Sequence, residues 1–125
     1  MINSNLKQQD FAKNDISDRL LNLAKNLSRI QKLCTDKSNQ ESILNLIKES
    51  RYFIEWTVPE MVQINIEQAA ELVDVGRILT KWLFNWEKIC SDHQEKMNLS
   101  QQADKCLKIV LKISQLHLVH LESLI

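Results

Sequence analysis

The chain is poor in the residues that build turns, with one glycine, Gly76, and one proline, Pro59, among 125 residues. Sandwiches, barrels and nucleotide-binding α/β units need turn residues every ten or so positions, so this composition argues against them. No apolar run approaches the 18 or so residues that a membrane span requires. We therefore expect an all-α domain that is soluble and cytoplasmic.

An excess of one charge is also lacking, since 16 basic residues balance 16 acidic ones. A neutral protein has little sequence-independent attraction to phosphate, so we expect neither a nucleic acid nor a membrane as a partner. The first residues contain no basic and apolar regions of the kind that form a secretory signal. We interpret residues 1–13 as a flexible polar arm and residues 14–125 as one domain.

The first amphipathic segment is predicted to be a helix from Ile16 to Thr35. Its apolar residues recur at spacings of four and three, which is typical of a helix that packs nearly parallel to its neighbours. Asp15 precedes it as a candidate cap for the free amides of the first turn. The polar turn that follows implies an antiparallel return.

The second segment is predicted to end near Trp56 or Thr57, ahead of Pro59, which cannot donate a backbone hydrogen bond. A third helix then starts either at Val58 or at Asn65, because a capping box fits both places. The alternation of apolar residues over 62–66 looks extended, which favours the start at Asn65. A kinked continuous helix remains the alternative.

The third helix is predicted to reach Cys90, followed by a polar connection over 91–98 and a last helix from Asn98 or Ser100. Apolar residues cover more than half of the circumference of this last helix, which indicates a central position or a shared interface. Four helices joined by short turns predict an antiparallel up-down-up-down four-helix bundle.

No catalytic motif or phosphate loop is present, so we expect a protein that is not an enzyme and holds no cofactor. Cys34, Cys90, Cys106 and His93 suit a zinc site by type, but their spacing matches no zinc motif. Reduced thiols packed as small hydrophobic residues are the simpler interpretation, so no metal is expected.

Two histidines on the last helix offer an alternative function. His117 and His120 are three residues apart and share a stripe with apolar residues. Such a pair can bind a metal or a polar ligand inside a bundle, or can be neutral and hydrogen-bonded to a neighbouring helix.

The aromatic residues carry the favoured hypothesis. Aromatic and apolar residues that recur at spacings of three and four are predicted to lie beside the core stripes of helices two and three. Together they would form one long aromatic surface. Such residues are enriched in interface hot spots, so the chain is predicted to associate with a protein partner or with itself, as a homodimer, adaptor or regulator. The predicted partner-binding residues are Tyr52, Trp56, Val75, Ile78, Trp82, Trp86 and Ile89. Gly76, on the buried stripe of helix three, predicts close approach of another helix or of a ligand.

Overall fold

A computed structural model of the chain describes residues 15–34 and 39–123, with side chains as far as Leu116. The described residues contain no strand and form five helices: α1 (Ile16–Leu33), α2 (Gln40–Ile64), α3 (Ile66–Phe84), α4 (Trp86–Ser91) and α5 (His93–Ser123). The all-α prediction is confirmed, but the helices number five and not four. The predicted arm over 1–13 lies outside the described residues.

The core lies between α1, α2, α3 and α5. The interface of α1 with α5 is the largest, α2 packs on both α1 and α3, and α3 touches α5 more sparsely. Cys34 Sγ lies 3.8 Å from the carbonyl oxygen of Lys96, so the end of α1 adjoins the beginning of α5 and the two helices run antiparallel. The largest side chains with almost no exposure are Leu20, Leu23, Leu27, Ile30, Ile43, Ile47, Met61, Leu72, Val75, Leu79, Leu99 and Ile113.

Helix α1 begins as its sequence predicts. Asp15 is the N-cap, and its Oδ1 accepts a hydrogen bond of 2.8 Å from the backbone nitrogen of Asp18. This bond satisfies one of the amides that the first turn leaves free. The helix ends at Leu33 with Cys34 as its C-cap, and the predicted last residue, Thr35, lies outside the described residues.

Helix α2 continues through Pro59, so the predicted end near Trp56 is wrong. The proline removes one helical hydrogen bond, which by itself is destabilising. The residues on either side outweigh this loss, because Thr57 and Met61 are both buried in the core. Thr57 Oγ1 also donates to the carbonyl oxygen of Phe53 at 2.7 Å, a bond that keeps its hydroxyl satisfied inside the helix. Packing has therefore overridden a local stop signal.

A single residue, Asn65, separates α2 from α3, and the prediction that the third helix starts here is confirmed. Asn65 has an extended backbone, and its side chain accepts a hydrogen bond of 3.1 Å from the backbone nitrogen of Gln68. Its own backbone nitrogen donates to Met61, so the residue closes one helix and opens the next. Val62, Ile64 and Ile66 are exposed around this junction and form no strand.

The predicted third helix is divided at Asn85. Asn85 is the C-cap of α3: its backbone nitrogen makes the helical hydrogen bond to the carbonyl oxygen of Lys81 at 3.0 Å, and its side-chain nitrogen donates to the same oxygen at 3.0 Å. Helix α4 follows at once, and α5 begins at His93, so the predicted polar connection over 91–98 is wrong. Asp92 Oδ1 accepts from Gln94 at 2.8 Å, and the burial of Leu99 fixes this first part of α5 against the core.

Candidate functional site

The predicted aromatic surface is divided between the core and the exterior. Val75, Trp82 and Ile89 are buried, with exposed fractions of 0%, 3% and 6%, so the expectation that they face outward is wrong. The wide apolar face of α3 has a structural cause, because this helix packs against both α2 and α5. Trp82 Nε1 donates a hydrogen bond of 2.6 Å to Gln102 Oε1 on α5, which satisfies the polar atom of the buried indole.

The other four residues of the prediction do not form one surface with Trp82. Ile78 and Trp86 are partly buried and pack against the core. Tyr52 stacks on Trp56 at 5.5 Å between ring centroids, on α2, with Tyr52 exposed and Trp56 half-buried. Tyr52 and Trp56 thus lie on α2, whereas Trp82 is buried and joined to α5.

The candidate metal-binding residues are dispersed or lie outside the residues that the structure describes. The side chains of His117 and His120 lie outside the described residues, although their backbone belongs to α5. His93 is exposed at the first residue of α5, whereas Cys106 is buried in its middle. Within residues 15–34 and 39–116, no group of three or more potential metal ligands comes together.

Burial governs the chemistry of two thiols. It raises the pKa of the Cys106 thiol to about 11, and it also raises the pKa of Cys90, where the nearby Lys96 ammonium acts weakly in the opposite direction. A thiol must ionise to act as a nucleophile or metal ligand, so both groups are held in their less reactive form.

A mainly apolar cleft lies open between α2 and α3 and is here called the Gly76 cleft. Its volume is about 430 Å³, which is within the range of binding pockets. The floor is apolar and the rim carries charged side chains. The lining residues are Arg51, Ile54, Glu55, Val58, Pro59, Val73, Gly76, Arg77 and Thr80.

Gly76 keeps this cleft open and is not required by close packing. A Cβ atom built on Gly76 meets only side-chain atoms of Ile54, at 3.5 and 3.8 Å, which are ordinary van der Waals distances. The predicted close approach of a neighbouring helix is therefore wrong. A larger side chain at this position would point over the cleft floor and occupy space that is now empty.

A second cleft, the Phe84 cleft, continues along the same two helices toward the beginning of α2. It has a volume of about 610 Å³ and is lined by Leu44, Lys48, Leu83, Phe84, Asn85, Trp86, Glu87 and Lys88. Phe84 is the most exposed large apolar residue in the described part of the chain, at 86%. Phe84 is the last residue of α3, directly before the break at Asn85.

The two clefts together are called the α2–α3 groove. Their linings carry four basic residues, Lys48, Arg51, Arg77 and Lys88, and two acidic ones, Glu55 and Glu87. Arg77 Nη1 also contacts Asp74 Oδ1 at 3.3 Å, but both side chains are largely exposed, so this pair is weak and adaptable. The groove is therefore mainly apolar at the Gly76 cleft and mixed in character at the Phe84 cleft, with charges of both signs along its length.

The prediction that Gly76 lies on a buried stripe of the third helix does not anticipate this groove. A useful signal was present in α3, where Val73, Gly76 and Thr80 share one face beside the fully buried row of Leu72, Val75 and Leu79. The sequence pattern gives Phe84 no face, and no local pattern indicates that α3 ends at Phe84 with Asn85 as its C-cap.

Comparison with known proteins adds no assignment, because the chain matches no family model, no curated protein and no solved structure. Among the described residues, no helix has the combination of length and apolar character that crossing a membrane demands.

Proposed function

We propose that this protein works by binding another helical surface in the α2–α3 groove, and that its role is association and not catalysis. One observation carries the proposal: a mainly apolar cleft and a cleft of mixed polar and apolar character follow each other along α2 and α3, beside a phenylalanine that is 86% exposed. An exposed phenylalanine beside an apolar cleft is costly to leave in water, and exposed apolar surface of this kind often marks a binding site.

The dimensions of the groove suit a helix. Its lining on α2 extends from Leu44 to Pro59, a length of about 24 Å at 1.5 Å per residue, or roughly four turns. A helix bound in a groove places anchors from successive turns into successive clefts, and two clefts in line provide for this arrangement. The charged rim supplies groups that fix the orientation of the bound helix.

The architecture we propose for this role is an up-down-up-down four-helix bundle made of α1, α2, α3 and α5, with α4 as a short appendage of the third helix. The packing of α1 on α5, of α2 on α1 and of α3 on α2 supports it. We also place the protein in the cytoplasm, because all three of its cysteines are free.

This proposal changes the set of partner-binding residues that the sequence predicts. Trp86 keeps its assigned role, because it lines the Phe84 cleft. Val75, Trp82 and Ile89 are assigned to the core instead, since they are buried. Phe84, Arg51 and Arg77 enter the set from the groove itself.

A photo-crosslinking experiment tests this function. A photoreactive amino acid is introduced at Arg51 or at Thr80 in the groove, or at Lys108 on α5 as the control, in cells that normally contain the protein. Lys108 is a suitable control because its side chain is 75% exposed and lies on another helix. We expect crosslinked polypeptides from the two groove positions and not from Lys108.

Filling the groove provides a second control. The substitution Gly76→Leu in the Arg51-labelled protein should abolish the crosslinks while the circular dichroism spectrum is unchanged. Equal crosslinking from the groove and from Lys108, or crosslinks that persist with leucine at position 76, would contradict the proposal.

A further inference from the structure

A cleft of different character lies between α1 and α2 and is here called the α1–α2 cleft. Its volume is about 480 Å³, and it shares no lining residue with the α2–α3 groove, so it is a separate candidate site. One aromatic side chain, Phe53, lines it, and the other lining residues are polar or charged. The lining residues are Asn22, Lys25, Asn26, Ser28, Arg29, Lys32, Glu49 and Phe53.

Three cations of this cleft form a row on α1, here called the α1 basic row. Lys25, Arg29 and Lys32 follow each other at spacings of four and three, so they lie on one face of the helix, and all three are exposed. The row is about 10 Å long at 1.5 Å per residue. After Asp18, α1 contains no acidic residue. The chain as a whole has no net charge, so the row is a local concentration of positive charge.

The neighbouring helix does not neutralise the α1 basic row. Glu49 of α2 lines the same cleft, but its Oε1 accepts a hydrogen bond of 3.1 Å from Nδ2 of Asn26, which is buried. Within the described residues, none of the three cations makes an ion pair. Like charges three and four residues apart disfavour an isolated helix. An anionic partner bound along α1 would relieve this repulsion.

A row of lysines on α5 provides an internal comparison. Lys105, Lys108 and Lys112 are also exposed and recur at spacings of three and four. Lys108 Nζ, however, lies 2.9 Å from Asp104 Oδ2, and none of these lysines lines the α1–α2 cleft. The α1 basic row therefore differs in two respects, because its charges are unpaired and because a cleft adjoins it.

We propose that the α1–α2 cleft binds an acidic α-helix of another protein. This helix lies along α1 and places carboxylates at matching helical spacings opposite the α1 basic row, with an apolar residue toward Phe53. Opposite charges at regular positions along two adjacent helices select partners in the same way in coiled coils. The lining on α1 covers residues 22–32, about 15 Å, so the bound helix has about three turns.

The same surface is less suited to a nucleic acid. Proteins that bind DNA or RNA by charge contact many phosphates, and their affinity grows with the number of these contacts. Here three cations stand beside an acidic residue, Glu49, on a chain without net charge. Three carboxylates on one helical face match this row in number and in spacing.

Fluorescence anisotropy with the full chain and a labelled synthetic peptide tests the inference. The peptide is an alanine-rich helix with glutamates at positions i, i+4 and i+7 and a leucine beside them. The control peptide has the same composition, with its glutamates spread around the helix. We expect the first peptide to bind about tenfold more tightly than the control at low ionic strength, and more weakly as salt is added. Equal binding of the two peptides, or no binding at protein concentrations up to about 1 mM, would overturn the inference.

Reversal of charges on the protein locates the site. The triple variant Lys25→Glu, Arg29→Glu and Lys32→Glu should bind the acidic peptide about tenfold more weakly, because three attractive pairs become repulsive. The matched control is the triple variant Lys105→Glu, Lys108→Glu and Lys112→Glu, which changes the net charge equally on another exposed row. An equal loss of binding in the two triple variants would contradict the assignment.

Two further measurements make the result specific. A peptide with lysines in place of the glutamates should bind the α1 variant and not the natural protein, which also shows that the variant is folded. Failure of this exchange would exclude the proposed pairing. Tighter binding of a single-stranded oligonucleotide than of the acidic peptide by the natural protein would overturn the protein partner in favour of a nucleic acid.

This inference does not rest on the α2–α3 groove. Gly76→Leu should leave the binding of the acidic peptide unchanged, and the α1 variant should leave the crosslinks from Arg51 unchanged, because the two sites share no lining residue. Loss of peptide binding in Gly76→Leu would show that the peptide occupies the groove and would overturn the inference.

Discussion

The indole nitrogen of Trp82 donates to Gln102 Oε1 at 2.6 Å and so joins α3 to α5 across an otherwise sparse interface. Trp82 is 3% exposed, which makes it a structural residue of the core. The next tryptophan in the sequence, Trp86, lies beyond the break at Asn85 and lines the Phe84 cleft. Two tryptophans four residues apart therefore have different roles.

Replacement of Trp82 by alanine should destabilise the fold by about 3–5 kcal/mol, because it removes a large buried ring and leaves a cavity. Urea denaturation followed by circular dichroism measures this loss. Trp82→Phe should cost much less, since it keeps most of the packing and loses only the hydrogen bond to Gln102. A Trp82→Ala protein as stable as the natural one would show that the ring is not part of the core.

Replacement of Gly76 by alanine should stabilise the folded monomer by about 1 kcal/mol, because alanine favours the helix and restricts the unfolded chain. The added Cβ meets only Ile54 atoms, at 3.5 Å and beyond. Thermal unfolding of the purified protein measures the effect without a contribution from a binding partner. A decrease in stability would mean that Ile54 cannot accommodate the methyl group.

Replacement of Pro59 by alanine should also stabilise the fold, by about 1–3 kcal/mol, because α2 already continues through this position and regains a hydrogen bond. Urea denaturation gives the change in free energy. Pro59→Gly is the control and should gain less, since glycine is the poorer helix former. A loss of stability in Pro59→Ala would indicate that the core requires the bend at the proline.

The stability of the fold should decrease in alkaline solution through Cys106. Its pKa in the folded protein is raised to about 11, so the unfolded chain releases the proton at a lower pH than the folded protein does. This contribution is fully present below the ordinary pKa of cysteine and is lost as the pH rises toward 11. The midpoint of urea denaturation, measured from pH 8 to 11, should fall, and should fall less in Cys106→Ala. Identical pH profiles for the two proteins would contradict the assignment.

The sequence predicts those elements for which the local signals and the core agree. Asp15 and Asn65 are N-caps as expected, because a side-chain oxygen that accepts from the free amides of the first turn stabilises that end of a helix. Pro59 misled the prediction, because the burial of Met61 outweighs one lost hydrogen bond. Asn85 was missed for the opposite reason, since an asparagine within an apolar periodic segment carries no distinctive pattern.

The sequence predicts that an apolar contact surface exists on the third helix, but not which residues form it. The wide apolar face of the third helix indicates that this helix contacts more than one neighbouring helix. Periodicity does not tell which part of that face contacts α5 and which part is exposed to water. For this reason periodicity predicts an outward Trp82 and gives Phe84 no face, although Phe84 is the most exposed large apolar residue among the described residues. The distinction depends on how α3 is rotated between two neighbours, which is decided by contacts distant in sequence.

Asn65 alone connects α2 to α3, whereas α1 and α5, which share the largest interface, are separated by about sixty residues. Joining α2 to α3 closes a very short loop, but joining α1 to α5 must pay the entropy of a long one. We therefore expect the α2–α3 pair to form first during folding and the α1–α5 pair to complete the structure. The groove would then be assembled before the rest of the core, and association through it would be open to a chain whose first and last helices have not yet met.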